Sequence, residues 1–357
     1  MNIAYYISDY GYGHATRSIA IIRELLKRNP KMVITICHSF ASELLIKSFD
    51  DNRVTLRVVP TDVGYVLNLD TLELDFEKMG KIYDEYLYFR PQKIQDEIIF
   101  LKQNQISCVI SDIYSNAIEA ADELNILSIG ISNFLWSDVY ENVIEESKLK
   151  VMKRAYSKMS YFLQLEGSIN STNTYDYFSR AINKEEVRRI KSELKTSPTD
   201  TIIFYGLGMK IDHSHQLSNK SFLWSNENCK FIVSSHIDVN HPNVFKIPDD
   251  YIETQNYIAA ADFTMTKPGW STVSEALCGK SRILLLDRAS FIEDQVTMNK
   301  LKSKNYCKSF SIEELSQVTF NSAVVSQWKD TIQIKSTNEG LNRLINDLQE
   351  KIKEVKK

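Results

Sequence analysis

Short apolar runs alternate with amphipathic segments along almost the whole chain, and this alternation constrains the fold more than any other feature. At the amino end, the β-rich run Ile3–Ser8 is followed by a glycine turn. Apolar residues then recur at helical spacing over Ala15–Arg28, and a second apolar run, Met32–His38, comes next. Strand, turn, helix and strand in this order predict a βαβ unit. Repeated units of this kind predict a parallel sheet with helices on both faces.

The alternation occurs in two consecutive series, which the small, polar segment Gly167–Asn173 separates. A chain of 357 residues also fits about two domains of ordinary size. We therefore expect two doubly wound, Rossmann-like α/β domains that face each other across a cleft, over residues 1–170 and 180–336, with a final helix within 337–357. In such sheets ligands bind outside the carboxyl ends of the strands, so the loops after the strands should carry the function.

Two longer helical regions are predicted in the first series. One covers Leu74–Gln103 and is expected to be interrupted at Pro91, because proline disfavours a helix interior. The other covers Glu141–Met159. Four aromatic residues in the first region are expected to pack in the core or against neighbouring helices. Alternatively they form a platform for an acceptor, since aromatic faces suit sugar rings and lipid chains. These residues are Tyr83, Tyr86, Tyr88 and Phe89.

Charge, cysteine content and hydropathy argue against several classes of protein. The formal net charge of −3 argues against nucleic acid as the main partner, because nucleic-acid-binding proteins usually carry a basic surface. Five cysteines without a C-x-x-C pair argue against a disulfide scaffold or a zinc ribbon and fit a reducing cytoplasm. We expect no signal peptide, because the first residues lack a basic start and a long apolar stretch, and no apolar run is long enough to span a membrane. The lysine-rich end is typical of a solvated helix end, or alternatively of a peripheral contact with the inner face of a membrane.

The first motif with chemical potential is SDYGYGHATR, residues 8–17. Gly11 and Gly13, on either side of Tyr12, allow a tight turn and the close approach of a ligand. His14 follows at the start of the helix, where it can act as a general base near neutral pH or can instead cap the helix or contact a phosphate. Asp112 ends a later buried strand, so it either caps the next helix or orients the imidazole of His14.

The richest motif covers residues 261–295. A strand ends at Lys267, a turn follows at Gly269, and a helix opens at Ser271 and Thr272. Free backbone N–H groups and hydroxyls at such a helix start suit an anionic group, most simply a diphosphate.

Three carboxylate and amide residues within this motif have two interpretations each. Glu275, placed on the first helical turn, either accepts hydrogen bonds from ribose hydroxyls or completes a capping box with Thr272. Asp294 and Gln295, in the loop after the next strand, suit sugar hydroxyls, although polarity is also ordinary for a surface loop.

Weaker signals lie at the start of the second series. Gly206 and Gly208 form a turn after a strand and could line a phosphate or glycosyl group. Ser235 and His236 end the next strand and could border a pocket for the base of a nucleotide. His213 and His215 have only Asp212 beside them, which is too few ligands for a structural zinc site, so we expect no metal.

Two blocks resemble the GT-B superfamily of nucleotide-sugar glycosyltransferases over nearly the whole chain. They are GYGHATR at the amino end and AADFTMTKPGWSTVSEALCGKSRILLLDR followed by EDQ. The resemblance is nearest to the branch with the peptidoglycan lipid-linked N-acetylglucosaminyltransferase and the macrolide-type glycosyltransferases, which implies a role in making cell-envelope glycans.

The resemblance also implies roles for the residues of the two blocks. Gly11, Gly13 and His14 would face the acceptor, and the final helix would cross back to the first domain. Glu275 would bind the ribose of the donor, and Asp294 and Gln295 would bind the transferred sugar. The donor diphosphate would be bound by Gly269, Trp270, Ser271 and Thr272.

The expected reaction is a single displacement at the anomeric carbon, with inversion and without a metal or another cofactor. The donor would be a nucleoside-diphosphate sugar, UDP-linked in the first instance. The acceptor hydroxyl would belong to a glycan, a lipid-linked sugar or a small molecule. Two alternatives stay open: a nucleotide-sugar hydrolase or epimerase, since G-x-G-H-x-x-R also resembles the hydrolase of the pseudaminic acid pathway, and a non-catalytic nucleotide-sugar-binding module.

Overall fold

The chain forms two compact units. A computed structural model describes residues 1–68, 74–168, 173–197, 199–208, 221–287, 292–311, 313–314, 317–335 and 339–354. The first unit holds the described residues up to Asp176 together with those from Glu339 onward, and the second begins at Tyr177. This division follows the predicted linker Gly167–Asn173 by a few residues, and residues 169–172 of that linker lie outside the described ranges.

A six-stranded parallel sheet forms the centre of the first unit, in the order β3-β2-β1-β4-β5-β6. Its strands are Asn2–Ile7 (β1), Val33–Cys37 (β2), Val54–Arg57 (β3), Cys108–Asp112 (β4), Leu127–Ser132 (β5) and Tyr161–Gln164 (β6). Its helices are Tyr12–Arg28 (α1), Ser42–Ser48 (α2), Phe76–Gln103 (α3), Ser115–Glu123 (α4), Trp136–Val139 (α5) and Glu146–Ser157 (α6). The sheet order reverses between β1 and β4, where Ile7 lies beside Asp112.

The second unit repeats this plan, with a sheet in the order β12-β11-β10-β7-β8-β9. Its strands are Thr201–Gly206 (β7), Cys229–Val233 (β8), Val244–Lys246 (β9), Phe263–Thr266 (β10), Arg282–Leu286 (β11) and Cys307–Phe310 (β12). Its helices are Lys184–Glu193 (α7), Ser221–Trp224 (α8), Gln255–Ala260 (α9), Trp270–Gly279 (α10), Ile292–Ser303 (α11) and Ser322–Thr331 (α12). The order reverses between β7 and β10, where Gly206 lies beside Thr266.

The last helix, Glu339–Glu354 (α13), belongs to the first unit. Its buried side chains recur at helical spacing and pack inward; they are Leu344, Ile345, Leu348 and Ile352. On its solvent side, the Arg28 guanidinium at the end of α1 donates to the Oδ1 atoms of Asn342 and Asn346, each at 2.7 Å. The helix is therefore part of the layer that covers the first sheet.

Two parallel α/β sheets were expected, and the structure confirms them. Helix α3 corrects the expected break, because it runs without interruption through Pro91. Proline removes only one hydrogen bond, and the buried residues of the helix, which include Ile94 and Leu101, still pack. The region predicted as one helix over Glu141–Met159 is instead α6, preceded by the short α5. Within the described residues, no helix is long and apolar enough to cross a membrane.

Candidate active site

The first candidate site lies where the order of the first sheet reverses. The loop after β1 passes into α1 at Gly11, whose φ of 81° is a left-handed conformation that favours glycine. Helix α1 begins at Tyr12, so Gly13 and His14 lie in its first turn rather than before it. The Tyr12 ring is 46% exposed and tilts against the Phe40 ring after β2, at 5.3 Å between centroids.

The structure brings His14 and Asp112 together from adjacent strand ends. The Nδ1 atom of His14 lies 2.9 Å from Oδ2 of Asp112, and both side chains are buried. The alternative role of Asp112 as a helix cap is wrong, because α4 is capped at Tyr114 without a side-chain hydrogen bond. An imidazole held by a buried carboxylate is an arrangement that general-base catalysis uses.

Arg17 is a third member of this group that the sequence analysis did not single out. Its guanidinium grips Asp112 with two bonds, from Nε to Oδ2 at 2.8 Å and from Nη2 to Oδ1 at 2.5 Å. Nη1 donates to Oδ1 of Asn133 at 2.8 Å, and Nη2 also lies 3.0 Å from Oγ of Ser132. The signal was present in the motif, since Arg17 follows His14 by three residues and so shares its helix face.

The charge of Asp112 is balanced inside the protein. Burial alone would raise the pKa of Asp112, but the Arg17 guanidinium and His14 outweigh it and lower that pKa to about 2. Asp112 is therefore an anion at every physiological pH. It can hold His14 without taking a proton itself.

Two further carboxyl groups lie in the loops at this edge of the sheet, with opposite electrostatics. Burial would raise the pKa of Asp9, but hydrogen bonds from His38 and Ser39 lower it far below the ordinary range. Asp62, whose Oδ2 accepts a 2.6 Å hydrogen bond from Oγ of Ser8, has a pKa that burial raises to about 7. Asp9 therefore ties these loops together as an anion, whereas Asp62 titrates near neutrality.

Aromatic rings border the same edge. The Phe134 ring meets the His14 ring edge-on at 6.0 Å between centroids, and Trp136 packs against Phe134. Of the four aromatic residues considered for an acceptor platform, Tyr83 and Tyr86 are buried. Tyr88 and Phe89 are exposed and contact each other.

The second candidate site lies at the matching reversal of the second sheet. The loops that follow β7 and β10 are neighbours, and the Lys267 side chain passes between their glycines. A Cβ placed on Gly208 would lie 3.1 Å from Cε of Lys267, and one placed on Gly269 would lie 3.4 Å from the same atom. Gly208 has a φ of 97°. The two glycines therefore leave room for an ammonium-bearing side chain beside the start of α10.

Helix α10 begins at Trp270, with Gly269 as its cap and no side-chain hydrogen bond at that cap. Ser271 is buried and Thr272 is half-buried. The Trp270 side chain is also buried, with its ring 5.0 Å from that of Phe178, so Trp270 can offer a ligand its backbone N–H but hardly its indole. A helix start whose cap, Gly269, has no side chain, and that lies beside a lysine, suits an anionic group.

Glu275 lies on the second turn of α10, not the first, and it forms no capping box with Thr272 because the cap is Gly269. Its Oε1 accepts hydrogen bonds from Nη2 and Nε of Arg180, at 2.9 and 3.3 Å. Arg180, whose side chain is fully buried, also donates to the carbonyl of Ile252 and to Oγ1 of Thr254. Nothing local in the sequence indicated Arg180, because it lies 95 residues before Glu275.

The remaining predicted residues surround the same edge of the second sheet. Asp294 and Gln295 lie on the first turn of α11 rather than in a loop, because that helix begins at Ile292. Asp294 is buried, and Nε2 of Gln295 donates to Asp287 at the end of β11. Ser235 and His236 follow β8, half-buried and exposed respectively. The H-x-H pair His213 and His215, with Asp212, lies outside the described residues.

No protein-family model matches the chain. One curated relative, L-arabinokinase of Arabidopsis thaliana, is 25% identical in an alignment of 312 residues that covers 84% of this chain and 29% of that protein. The chain therefore spans less than a third of the length of the relative it matches.

Solved structures resemble the chain along nearly its whole length. The calicheamicin glycosyltransferase CalG4 is 12% identical, with a TM-score of 0.63 and 98% of both chains covered. UGT89C1 of Arabidopsis thaliana, solved with UDP, is 12% identical, with a TM-score of 0.58 over 97% of this chain and 99% of that one. A putative UDP-N-acetylglucosamine 2-epimerase of Listeria monocytogenes is 10% identical, with a TM-score of 0.65 over 99% and 97%. The chain has the GT-B fold of these glycosyltransferases.

Proposed function

We propose that the chain is a glycosyltransferase that moves a sugar from a nucleoside-diphosphate donor, UDP-linked in the first instance, to an acceptor hydroxyl. The contact between His14 and the buried Asp112 carries the proposal, since it places a held imidazole at the reversal point of the first sheet. The GT-B fold, which solved glycosyltransferases share, supports this class of reaction. The donor nucleotide follows the UDP bound in the solved UGT89C1 structure.

In the proposed reaction, Nε2 of His14 takes the proton of the acceptor hydroxyl. The hydroxyl oxygen forms a bond to the anomeric carbon while the bond from that carbon to the diphosphate breaks, so the configuration inverts. Asp112 stabilises the imidazolium that forms, because it stays an anion. Water is the competing nucleophile, and its exclusion separates transfer from hydrolysis.

On the donor side, we assign the departing diphosphate to the backbone N–H groups at the start of α10 and to Nζ of Lys267. Glu275 would hold the ribose, since Arg180 fixes one of its carboxylate oxygens. The transferred sugar is assigned to Asp294 and Gln295, which follow β11. The nucleobase is assigned to Ser235 and His236, which follow β8.

The first experiment measures binding and turnover of UDP-, GDP-, dTDP- and CMP-sugars, with and without acceptors. L-arabinose is included among the acceptors because the curated relative is named for it. We expect one nucleotide class to bind, slow turnover without acceptor, and loss of turnover with retained binding in His14→Ala. His241→Ala, which changes a histidine away from both candidate sites, should leave turnover and binding unchanged.

A second pair of variants tests the donor side. Glu275→Gln should weaken donor binding, whereas Glu186→Gln, which changes a half-buried glutamate on α7, should not. Activity that persists in EDTA and falls in Lys267→Gln would support the proposed handling of the diphosphate. Activity restored only by added Mg²⁺ would contradict it.

The epimerase neighbour favours one alternative function, chemistry on the donor sugar itself. Rapid, His14-dependent release of free sugar or of an epimer, with no effect of any acceptor, would replace the transferase with this alternative. ATP-dependent phosphorylation of L-arabinose would instead indicate a sugar kinase. Failure to bind any nucleotide would refute all three. The branch within the superfamily stays a prediction.

A further inference from the structure

The hydrogen atoms around His14 can be counted. Arg17 Nη2 lies within hydrogen-bond distance of at least three acceptors: Oδ1 of Asp112 at 2.5 Å, Nδ1 of His14 at 2.8 Å and Oγ of Ser132 at 3.0 Å. A guanidinium Nη atom carries two hydrogens and cannot accept. At least one of the three acceptors therefore receives no hydrogen from Nη2.

The tautomer of neutral His14 decides which acceptor that is. If Nδ1 carries the proton, it donates to Oδ2 of Asp112, and the Nη2 hydrogens go to Asp112 and Ser132. Nδ1 and Nη2 are then two donors 2.8 Å apart, but each of their hydrogens is directed at an oxygen. If Nδ1 carries no proton, it accepts from Arg17, and Ser132 receives no hydrogen from Arg17 and only the long contact from the Phe134 N–H at 3.5 Å. The bare nitrogen would then lie 2.9 Å from a carboxylate oxygen, so two acceptors would face each other.

Ser132 supplies what the first arrangement needs. It is the last residue of β5, is fully buried and offers its Oγ to Arg17, where it gives the second Nη2 hydrogen a partner other than His14. In Ser132→Ala that hydrogen loses this acceptor, and Nδ1 of His14, 2.8 Å from Nη2, is an acceptor within its reach.

We propose that Ser132, by accepting a hydrogen bond from Arg17, keeps His14 in the tautomer that is protonated at Nδ1 and leaves Nε2 as the accepting nitrogen. The inference rests on the proposed function, in which Nε2 takes the proton of the acceptor. Ser132 is a positioning residue, since it acts through Arg17 and His14.

The test uses the full chain labelled with ¹⁵N at histidine. Long-range ¹H–¹⁵N spectra at about pH 9, above the ordinary imidazole pKa of ~6.5, distinguish the two tautomers, because the bare nitrogen resonates far from the protonated one. The resonances lost in His14→Ala identify His14 among the six histidines. The nitrogen shifts report the tautomer whether or not the protein transfers sugar, so this test and that of the proposed function fail separately.

We expect His14 to be protonated at Nδ1 in the unmodified protein and at Nε2 in Ser132→Ala. The control is Ser128→Ala, which removes a buried hydroxyl from the same strand, bonded there to the Ser160 backbone, and should leave the tautomer unchanged. Ser132→Cys, close in size and a weaker acceptor, serves if the alanine variant does not fold.

An Nε2-protonated His14 in the unmodified protein, or a tautomer that Ser132→Ala and Ser132→Cys leave unchanged, would overturn the inference. Where transfer is measurable, Ser132→Ala should lower kcat by about tenfold or more with little change in the donor KM. General-base catalysis supplies about 10²–10⁴-fold in rate, and the donor contacts are not altered.

Discussion

At the scale of single residues, two buried arginines organise the two candidate sites. Arg17 and Arg180 are each at most 4% exposed, and each holds one carboxylate, that of Asp112 and that of Glu275. A buried charge is tolerated when its partners are in place, and it becomes costly when one partner is removed. Such pairs fix the orientation of the carboxylate more than they stabilise the fold.

Removal of the Arg180 charge should therefore destabilise the protein strongly. We expect Arg180→Met to lower the free energy of unfolding by about 3–5 kcal/mol, because Glu275 stays buried without its partner. The control is Arg189→Met on α7, whose ion pairs with Glu186 and Glu193 are exposed and should contribute at most ~1 kcal/mol. Urea denaturation measures both changes, and equal losses would contradict the role of burial.

Asp62 and Asp9 should give opposite dependences of stability on pH. The folded pKa of Asp62, about 7, lies above its ordinary value of 3.8, so the folded state binds the extra proton between these values and stability falls as pH rises. Asp62→Asn should thus gain stability relative to the unmodified protein from about pH 4 to about pH 8.

Asp9 is the matched case of opposite sign. Its folded pKa is lowered, so its contribution is present above the unfolded value and is lost as pH falls through the folded one. Asp9→Asn should lose stability at neutral pH and approach the unmodified protein in strong acid. Chemical denaturation at several pH values measures both variants, and parallel curves for the two would refute these assignments.

At the scale of elements, close packing of helices α9 and α10 depends on a glycine. A Cβ on Gly279 would lie 2.9 Å from the backbone Cα of Ala259, which cannot move aside as a side chain can. We expect Gly279→Ala to destabilise the second unit by about 1–3 kcal/mol.

Gly80, in helix α3, provides the control for this change. A Cβ there meets nothing within 4 Å, so Gly80→Ala should stabilise the first unit by about 0.5–1 kcal/mol through the lower conformational entropy of the unfolded chain. If the midpoint of thermal unfolding shifts in the same direction for both variants, the room available for a Cβ atom does not decide the effect of the substitution.

Elements with strong local patterns could be predicted from the sequence. The apolar runs that form β1, β4 and β11 are continuous and bounded by turn residues. Their assignment as strands of a parallel sheet could therefore be predicted. The edge strand β9 was missed, since its three residues are too few to show a strand pattern. The uninterrupted course of α3 could not be predicted, because tertiary packing outweighs the local cost of Pro91.

The candidate sites were predictable to the extent that they lie at strand ends. His14 and Asp112 follow adjacent strands in the observed sheet, and their meeting required only the correct topology. The contacts of Arg180 and Ser132 depend on residues 95 and 115 positions away, and no pattern within a window of the sequence carries such distances.

At the scale of the whole molecule, α13 is expected to stabilise the first unit alone. Leu348→Ala removes a fully buried side chain and should cost about 2–5 kcal/mol. Hydrogen exchange measured by mass spectrometry should then rise in peptides of residues 1–168 and not in those of 221–311. Leu284→Ala, equally buried in β11, should give the reverse pattern. Equal loss of protection in both units would show that they unfold as one body.

The return of α13 to the first unit also sets an order of events on the ribosome. Translation delivers the six strands of the first sheet before those of the second, but the helix that completes the covering layer of the first sheet emerges after every strand of the second unit. The described residues of the second unit, by contrast, all lie between Tyr177 and Lys335. The nascent protein should therefore finish its second unit while the first still exposes apolar surface, and this interval is when a chaperone has most to bind.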